Sequence, residues 1–308
     1  MDVPTSRDFF DSGIELFDFA WDTVAELITN LADAQEHFGV DGTEVSNDYW
    51  AASKRRLTTA LAVTQQGVEF ILKGKIAQTS PYLLIADSPS KWPSPYDGHR
   101  ITFAEFKTVD AQDLIRLHDT VADSRLSQEF VSRFKDLRTK RNTISHSIDK
   151  QLQVHTTEVI ETILFLHKAL FPDENWAKIR ADFIERYPDV ALGSEFSRNR
   201  ACRELEVLFE LLSHADVQRF FGVDTKKRLY ICPACIDAAS RNQEFDHKLA
   251  MLRPNGPLPS LYCPICDTEH TVIRRDCGQD DCQGNVLSQG ENQCLTCGRY
   301  LEEDSDDE

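Results

Sequence analysis

Eight of the nine cysteines stand in four close pairs: Cys232-Pro-Ala-Cys235, Cys263-Pro-Ile-Cys266, Cys277-(x4)-Cys282 and Cys294-Leu-Thr-Cys297. Two thiolates at such spacing can grip one soft ion, and a tetrahedral ion takes four. Eight thiolates therefore make two closed sites with no position left for a substrate, and zinc held structurally is the expected cofactor. Sequential grouping joins 232/235 with 263/266 and 277/282 with 294/297, whereas a cross-braced arrangement would interleave them. The sequential form is favoured, because short β-type runs at Arg228–Ile231 and Leu261–Tyr262 lead into the first two knuckles as strands of ribbon hairpins do. So small a region has little apolar core, and metal binding supplies its folding energy. The ninth cysteine, Cys202, has no partner near it in sequence and reads as a buried thiol.

A second constellation lies in Phe130–Ile148, FVSRFKDLRTKRNTISHSI. Phe130, Phe134, Leu137, Ile144 and Ile148 recur at the spacing of one buried helical stripe, and Arg141 interrupts it. A guanidinium stays charged, so at a core position it needs an anion to meet it. Arg141-Asn142-Thr143-Ile144-Ser145-His146 has the form R-N-x-x-x-H. Asn142 and His146 are one turn apart and share a face, while Arg141 and His146 lie about 140° apart on an ideal helix. Two copies of the helix about a two-fold axis, or an unwound last turn near Ser145, would bring both groups to one atom. The chemistry such a pair supports is RNA cleavage without a metal. Histidine exchanges the proton of a 2′-hydroxyl or of the leaving oxygen, and arginine holds the charge that grows on the phosphorane. DNA lacks the 2′-hydroxyl and would resist. A structural role, with Arg141 in an ion pair and His146 at a helix end, is the competing reading.

The elements that must position these groups are mostly helical. A helix is expected from Asp11 to Phe38, opened by a capping box at Ser12–Glu15 and closed at Gly39. A second runs from about Tyr49 to Ile76 and carries the basic cluster Lys54-Arg55-Arg56. Ser80–Arg100 holds Pro81, Pro89, Pro93, Pro95 and Gly98, an irregular excursion that is either a lid or a packed ornament. Helical pattern resumes at Asp110–Val121, from Ser127 through the Arg141 region, at Thr156–Phe171, and then at Asp173–Tyr187 and Ser194–Phe221.

The net charge of −17 argues against a nucleic-acid partner until its distribution is read. Residues 230–308 carry 6 basic against 15 acidic side chains, six of the acids in the tail Glu302–Glu308, whereas Val131–Arg141 sets Arg133, Lys135, Arg138, Lys140 and Arg141 against Asp136 alone. Contact with a phosphate backbone would thus be local. The zinc region either docks a protein partner or touches nucleic acid through Arg274, Arg275 or Arg299. No apolar run approaches the length of a membrane span, roughly 18 residues or more. The N-terminal stretch MDVPTSRDFF lacks a basic, cleavable leader. A cytoplasmic address without membrane contact follows as the expectation.

With its helix order, its Pro-containing excursion and its R-N-x-x-x-H motif, the segment from about Asp11 to Phe171 resembles the HEPN superfamily. Those proteins are four-helix bundles carrying R-x(4–6)-H near the end of the third main helix. The resemblance implies a HEPN-like four-helix bundle at 1–172; with the helical pattern, the cysteine spacing and the acidic run read above, the expected fold is mainly α, with a helical connector at 173–228, a double zinc-ribbon module of short β-strands at 229–301 and a disordered acidic tail at 302–308. It further implies a metal-independent endoribonuclease acting in a defence or toxin–antitoxin setting, with RNA as the partner in single-stranded or loop regions. Arg141 would contact the scissile phosphate, His146 serve as acid or base and Asn142 position them, in a cleft shared by a homodimer. Other members of the superfamily bind without cutting, so a HEPN-fold interaction module and a zinc-dependent nucleic-acid-binding regulator remain open alternatives.

Overall fold

The first helix, α1 (Ser6–Phe38), and the second, α2 (Glu44–Thr79), run antiparallel in the most extensive helix contact of the chain. Three glycines allow it. A Cβ on Gly67 would sit 2.6 Å from Phe17 and 2.9 Å from the Gly13 carbonyl, and one on Gly74 would sit 2.5 Å from Phe10. The backbones therefore approach closely, with Phe17, Trp21, Val24, Val68, Ile71 and Leu72 buried along the seam. α1 begins earlier than its Ser12–Glu15 signal suggests, because Thr5 and Asp8 form the working capping box. The Thr5 amide donates to Asp8 Oδ2 at 2.7 Å and the Asp8 amide to Thr5 Oγ1 at 3.3 Å. Ser12 instead sits inside the helix and donates to the Asp8 carbonyl.

The computed structural model describes residues 3–38, 44–94, 101–146, 153–193, 195–239, 244–253 and 258–301. The expected stop at Gly39, the stripe residue Ile148 and the acidic tail 302–308 lie outside them. The chain divides into two units, Met1–Leu170 and Phe171–Glu308. The fold is mainly helical, with one small antiparallel sheet near the C-terminus. Among the described residues no helix is long and apolar enough to cross a membrane.

In the first unit α2 is the central element, packing against α1, α3 (Ala111–Val121), α4 (Gln128–His146) and α5 (Thr156–Leu170). That role explains why Thr64 and Gln65 are fully buried on a helix with little amphipathic bias. The described part of the Pro-rich excursion is packed rather than free. Leu84 and Phe103 are buried, Trp92 meets Phe106 edge-on at 5.6 Å, and the amides of Ala86 and Val109 donate to the carbonyls of Lys107 and Leu84 at 2.9 Å. This short antiparallel pairing fixes Thr108 and the entry to α3.

The second unit opens with α6 (Trp176–Ile184), α7 (Pro188–Ala191), α8 (Ser197–Leu211) and α9 (His214–Phe221). The apolar pattern predicts one helix across Ser194–Phe221, but the chain breaks it at Leu212. There Ser213 caps a new helix by accepting from the Asp216 amide at 3.2 Å, the side-chain bond that favours serine at a helix start. Arg180 on α6 and Glu204 on α8 form a buried two-point ion pair at 2.8 and 2.9 Å, with Tyr187 also bonded to Arg180. Then β1 (Leu229–Ile231), β2 (Lys248–Arg253), β3 (Ser260–Cys263), β4 (Thr268–Ile273) and β5 (Leu287–Ser288) form a single meander in sequence order, with a one-turn helix, α10 (Pro233–Asp237), after β1.

Candidate functional site: two metal centres and a polar groove

The two cysteine pairs of the first cluster each sit at a strand end. β1 delivers Cys232 and α10 carries Cys235, while β3 ends at Cys263 and a turn presents Cys266. The residue after the second cysteine takes a left-handed conformation in two knuckles, Asp267 at φ 54° and Gly298 at φ 75°. Glycine adopts this freely, and aspartate can do so when its side chain is bonded locally. The Asp267 carboxylate accepts a hydrogen bond of 2.8 Å from the Tyr262 hydroxyl, which helps hold the turn.

The thiols gather as Cys232, Cys235, Cys263 and Cys266 in one cluster and Cys277, Cys282, Cys294 and Cys297 in the other, the sequential grouping. Within each set the sulfurs all lie within 4.8 Å of one another. The Cys232–Cys266 and Cys235–Cys263 separations are 3.7 Å, and those of Cys277–Cys297 and Cys282–Cys294 are 3.8 and 3.9 Å. The edge of a tetrahedron with metal–sulfur bonds of about 2.3 Å is about 3.8 Å, so both sets fit one ion each. The close approach of the sulfurs sets their acidities apart. Hydrogen bonds from Cys232, Cys235 and Cys263 hold Cys266 far below the ordinary thiol range, the shift expected when neighbours stabilise a thiolate. Cys235 is pushed far above it, first by Cys202 and then by its cluster mates. In the second cluster burial pushes Cys277 up to about 12, whereas Cys297, against the effect of burial, is drawn down to about 6 by hydrogen bonding from Arg299.

Three groups around the first cluster escaped sequence reasoning. His270 Nε2 lies 3.2 Å from Cys266 Sγ. Arg198, paired with Glu185 at 2.5 Å, brings positive charge near Cys235, Cys202 and Cys266. Cys202 is indeed buried, but it neighbours Cys235 and is not isolated. Four thiolates around a divalent ion carry a net charge of about −2, and a guanidinium and an imidazole N–H are the partners that offset it. His270, four residues after Cys266 on β4, was a readable signal. Arg198 and Cys202, far upstream of the nearest cluster cysteine, left none.

Asn175 ties this cluster to the helices. Its Oδ1 caps α6 by accepting from the Ala177 amide at 3.0 Å, and its amide nitrogen lies 3.0 Å from the Tyr262 hydroxyl, 3.0 Å from the Pro264 carbonyl and 3.1 Å from Asp267 Oδ1.

The R-N-x-x-x-H residues belong to the first unit. Phe130, Phe134 and Leu137 are buried as expected, but the stripe ends there. Arg141 and Ile144 are half-buried, so Arg141 is not enclosed in an apolar seam, which corrects the expectation. The physical reason is that this end of α4 borders a polar groove of about 350 Å³, lined among others by Glu69, Lys73, Asp110, Arg138, Arg141 and Asn142. The guanidinium thus keeps access to solvent and avoids the desolvation cost of a closed core. Arg141 Nη1 donates to Asn142 Oδ1 at 3.1 Å, and among the described residues no carboxylate lies within ion-pairing distance of Arg141. His146 is the last residue of α4, and its side chain lies outside the described residues.

No family model matches the chain, and neither does any curated protein or solved structure.

Proposed function

We propose that the chain is a metal-independent endoribonuclease of HEPN type, with Arg141, Asn142 and His146 as its reacting set and two zinc ions as structural supports of the C-terminal region. The observation that carries this reading is the joint placement of Arg141 and Asn142 in a polar groove, where the arginine is oriented by an amide and left without a carboxylate partner among the described residues. A guanidinium so held offers donors to a phosphodiester whose charge rises in the transition state. His146, a side chain that titrates near neutral pH in general, would take or return the proton of the 2′-hydroxyl reaction. The helical geometry separates Arg141 from His146 by about 140°, so the reading calls for a homodimer that supplies one group from each copy. Thiolate donors at tetrahedral spacing suit zinc.

Purified protein incubated with mixed RNAs in buffer lacking divalent cations, beside an Arg141→Ala/His146→Ala double variant, tests it. Cutting by the wild type alone supports the proposal; equal RNA integrity in both refutes it. A second reading, a binding module whose metal region docks a protein partner, draws on Leu192 and Phe196, exposed in the short link between α7 and α8, since exposed apolar side chains favour association. It predicts intact RNA in the same assay.

A further inference from the structure

We infer that the groove beside Arg141 binds a run of RNA backbone rather than one anion: the scissile phosphate lies against Arg141 and Asn142, and the neighbouring phosphate is held by Lys73 and Arg138. The inference rests on the reading of Arg141 as a phosphate contact and extends the site to α2.

The cations on the two sides of α4 differ in what they meet. On the α5 side, Arg133 pairs with Glu129 at 3.2 Å and lies over the Phe165 ring at 4.2 Å, and Lys140 pairs with Glu158. Their charge is already matched. On the groove side the partners are neutral. Lys73 Nζ donates to Thr108 Oγ1 at 3.2 Å, Arg138 Nη2 approaches Gln112 Oε1 at 3.4 Å, and Arg141 donates to Asn142. Among the described residues none of these three forms an ion pair, so three oriented cations share one groove without a direct carboxylate contact. Glu69, bonded to Gln65, and Asp110 also border it. They reduce the net charge to one positive unit and supply acceptors for ribose hydroxyls, which suits a sugar–phosphate chain better than a free inorganic anion. At about 350 Å³ the groove has room for more than a single phosphate.

The test is fluorescence polarisation of a short single-stranded RNA, kept intact by placing His146→Ala in every chain used, across a monovalent salt series with the full chain. Lys73→Ala and Arg138→Ala should each weaken binding about 5- to 10-fold at low salt and reduce the slope of log K against log salt by about 0.7, one phosphate contact each. Lys140→Ala, on the opposite side of α4, should leave both unchanged. Thermal melts confirm folding, and Lys73→Gln and Arg138→Gln, which keep the polar stem, serve where an alanine variant fails to fold. Unweakened binding with unchanged slopes in the Lys73 and Arg138 variants overturns the second phosphate position even if RNA is cut by the chain that keeps His146. Binding with the expected slopes but no cutting of the same RNA by the chain that keeps His146 refutes the nuclease reading while supporting the groove, and absence of RNA binding overturns both.

Discussion

Asn175 offers the sharpest test of how the helices of the second unit support the first metal centre. Its side chain caps α6 and reaches three acceptors around the Cys263–Cys266 knuckle, although an amide has only two protons to give. Loss of the cap costs about 1 kcal/mol. Two half-exposed hydrogen bonds add about 0.5–1 kcal/mol each. Asn175→Ala should therefore destabilise the unit by about 2–3 kcal/mol, and for a unit of this size that lowers the melting temperature by roughly 10 °C. Asn175→Asp separates the contributions. It keeps an acceptor for the Ala177 amide but loses both donors and sets a second carboxylate beside Asp267, so the cap survives and the tie does not. In metal-loaded protein challenged with a chelator, both variants should release one of two ions faster and the other at the wild-type rate. Melting within about 2 °C of wild type, with unchanged release of both ions, would refute the claim that this residue braces the site.

Other perturbations probe the frame around the sites. Glu204→Gln removes the carboxylate charge that meets the buried Arg180 guanidinium at two points. A loss of about 3–5 kcal/mol should appear in denaturant unfolding; a loss under about 1 kcal/mol would mean the pair is not acting as a buried ion pair. Gly67→Ala places a methyl 2.6 Å from Phe17 and 2.9 Å from the Gly13 carbonyl. Thermal unfolding should show a cost of about 1–3 kcal/mol despite the better helix propensity of alanine. Cys263→Ser should lower bound metal from two ions to one in native mass spectrometry, and Cys294→Ser likewise, since the two clusters share no ligand. Loss of both ions from either single variant would contradict independent sites.

Local signals in the sequence reach far in some places and stop short in others. Cysteine spacing and the strands leading into Cys232 and Cys263 were enough to assign both four-thiol clusters, because ligand pairs are local and the alternatives few. Apolar spacing located the long helices, yet it missed the start of α1, where Thr5 and Asp8 outcompete the Ser12 signal, and the break before Ser213. The stripe through Arg141 misleads for a different reason. Periodicity reports which face turns inward but not where neighbouring helices cease to cover it, and that cover ends after Leu137. Arg198, Cys202 and Lys73 were invisible as site neighbours because only tertiary packing brings them there. Asn175 is the same case, a helix cap whose three further contacts lie far along the chain, at Tyr262, Pro264 and Asp267.

The central claim concerns the chemistry at Arg141, and the ends left on a cut RNA report it most directly. Mass spectrometry of a short RNA incubated with the protein in buffer lacking divalent cations should show 5′ fragments ending in a 2′,3′-cyclic phosphate, absent with Arg141→Ala. Intact RNA, or fragments bearing 3′-hydroxyl ends, would contradict the account.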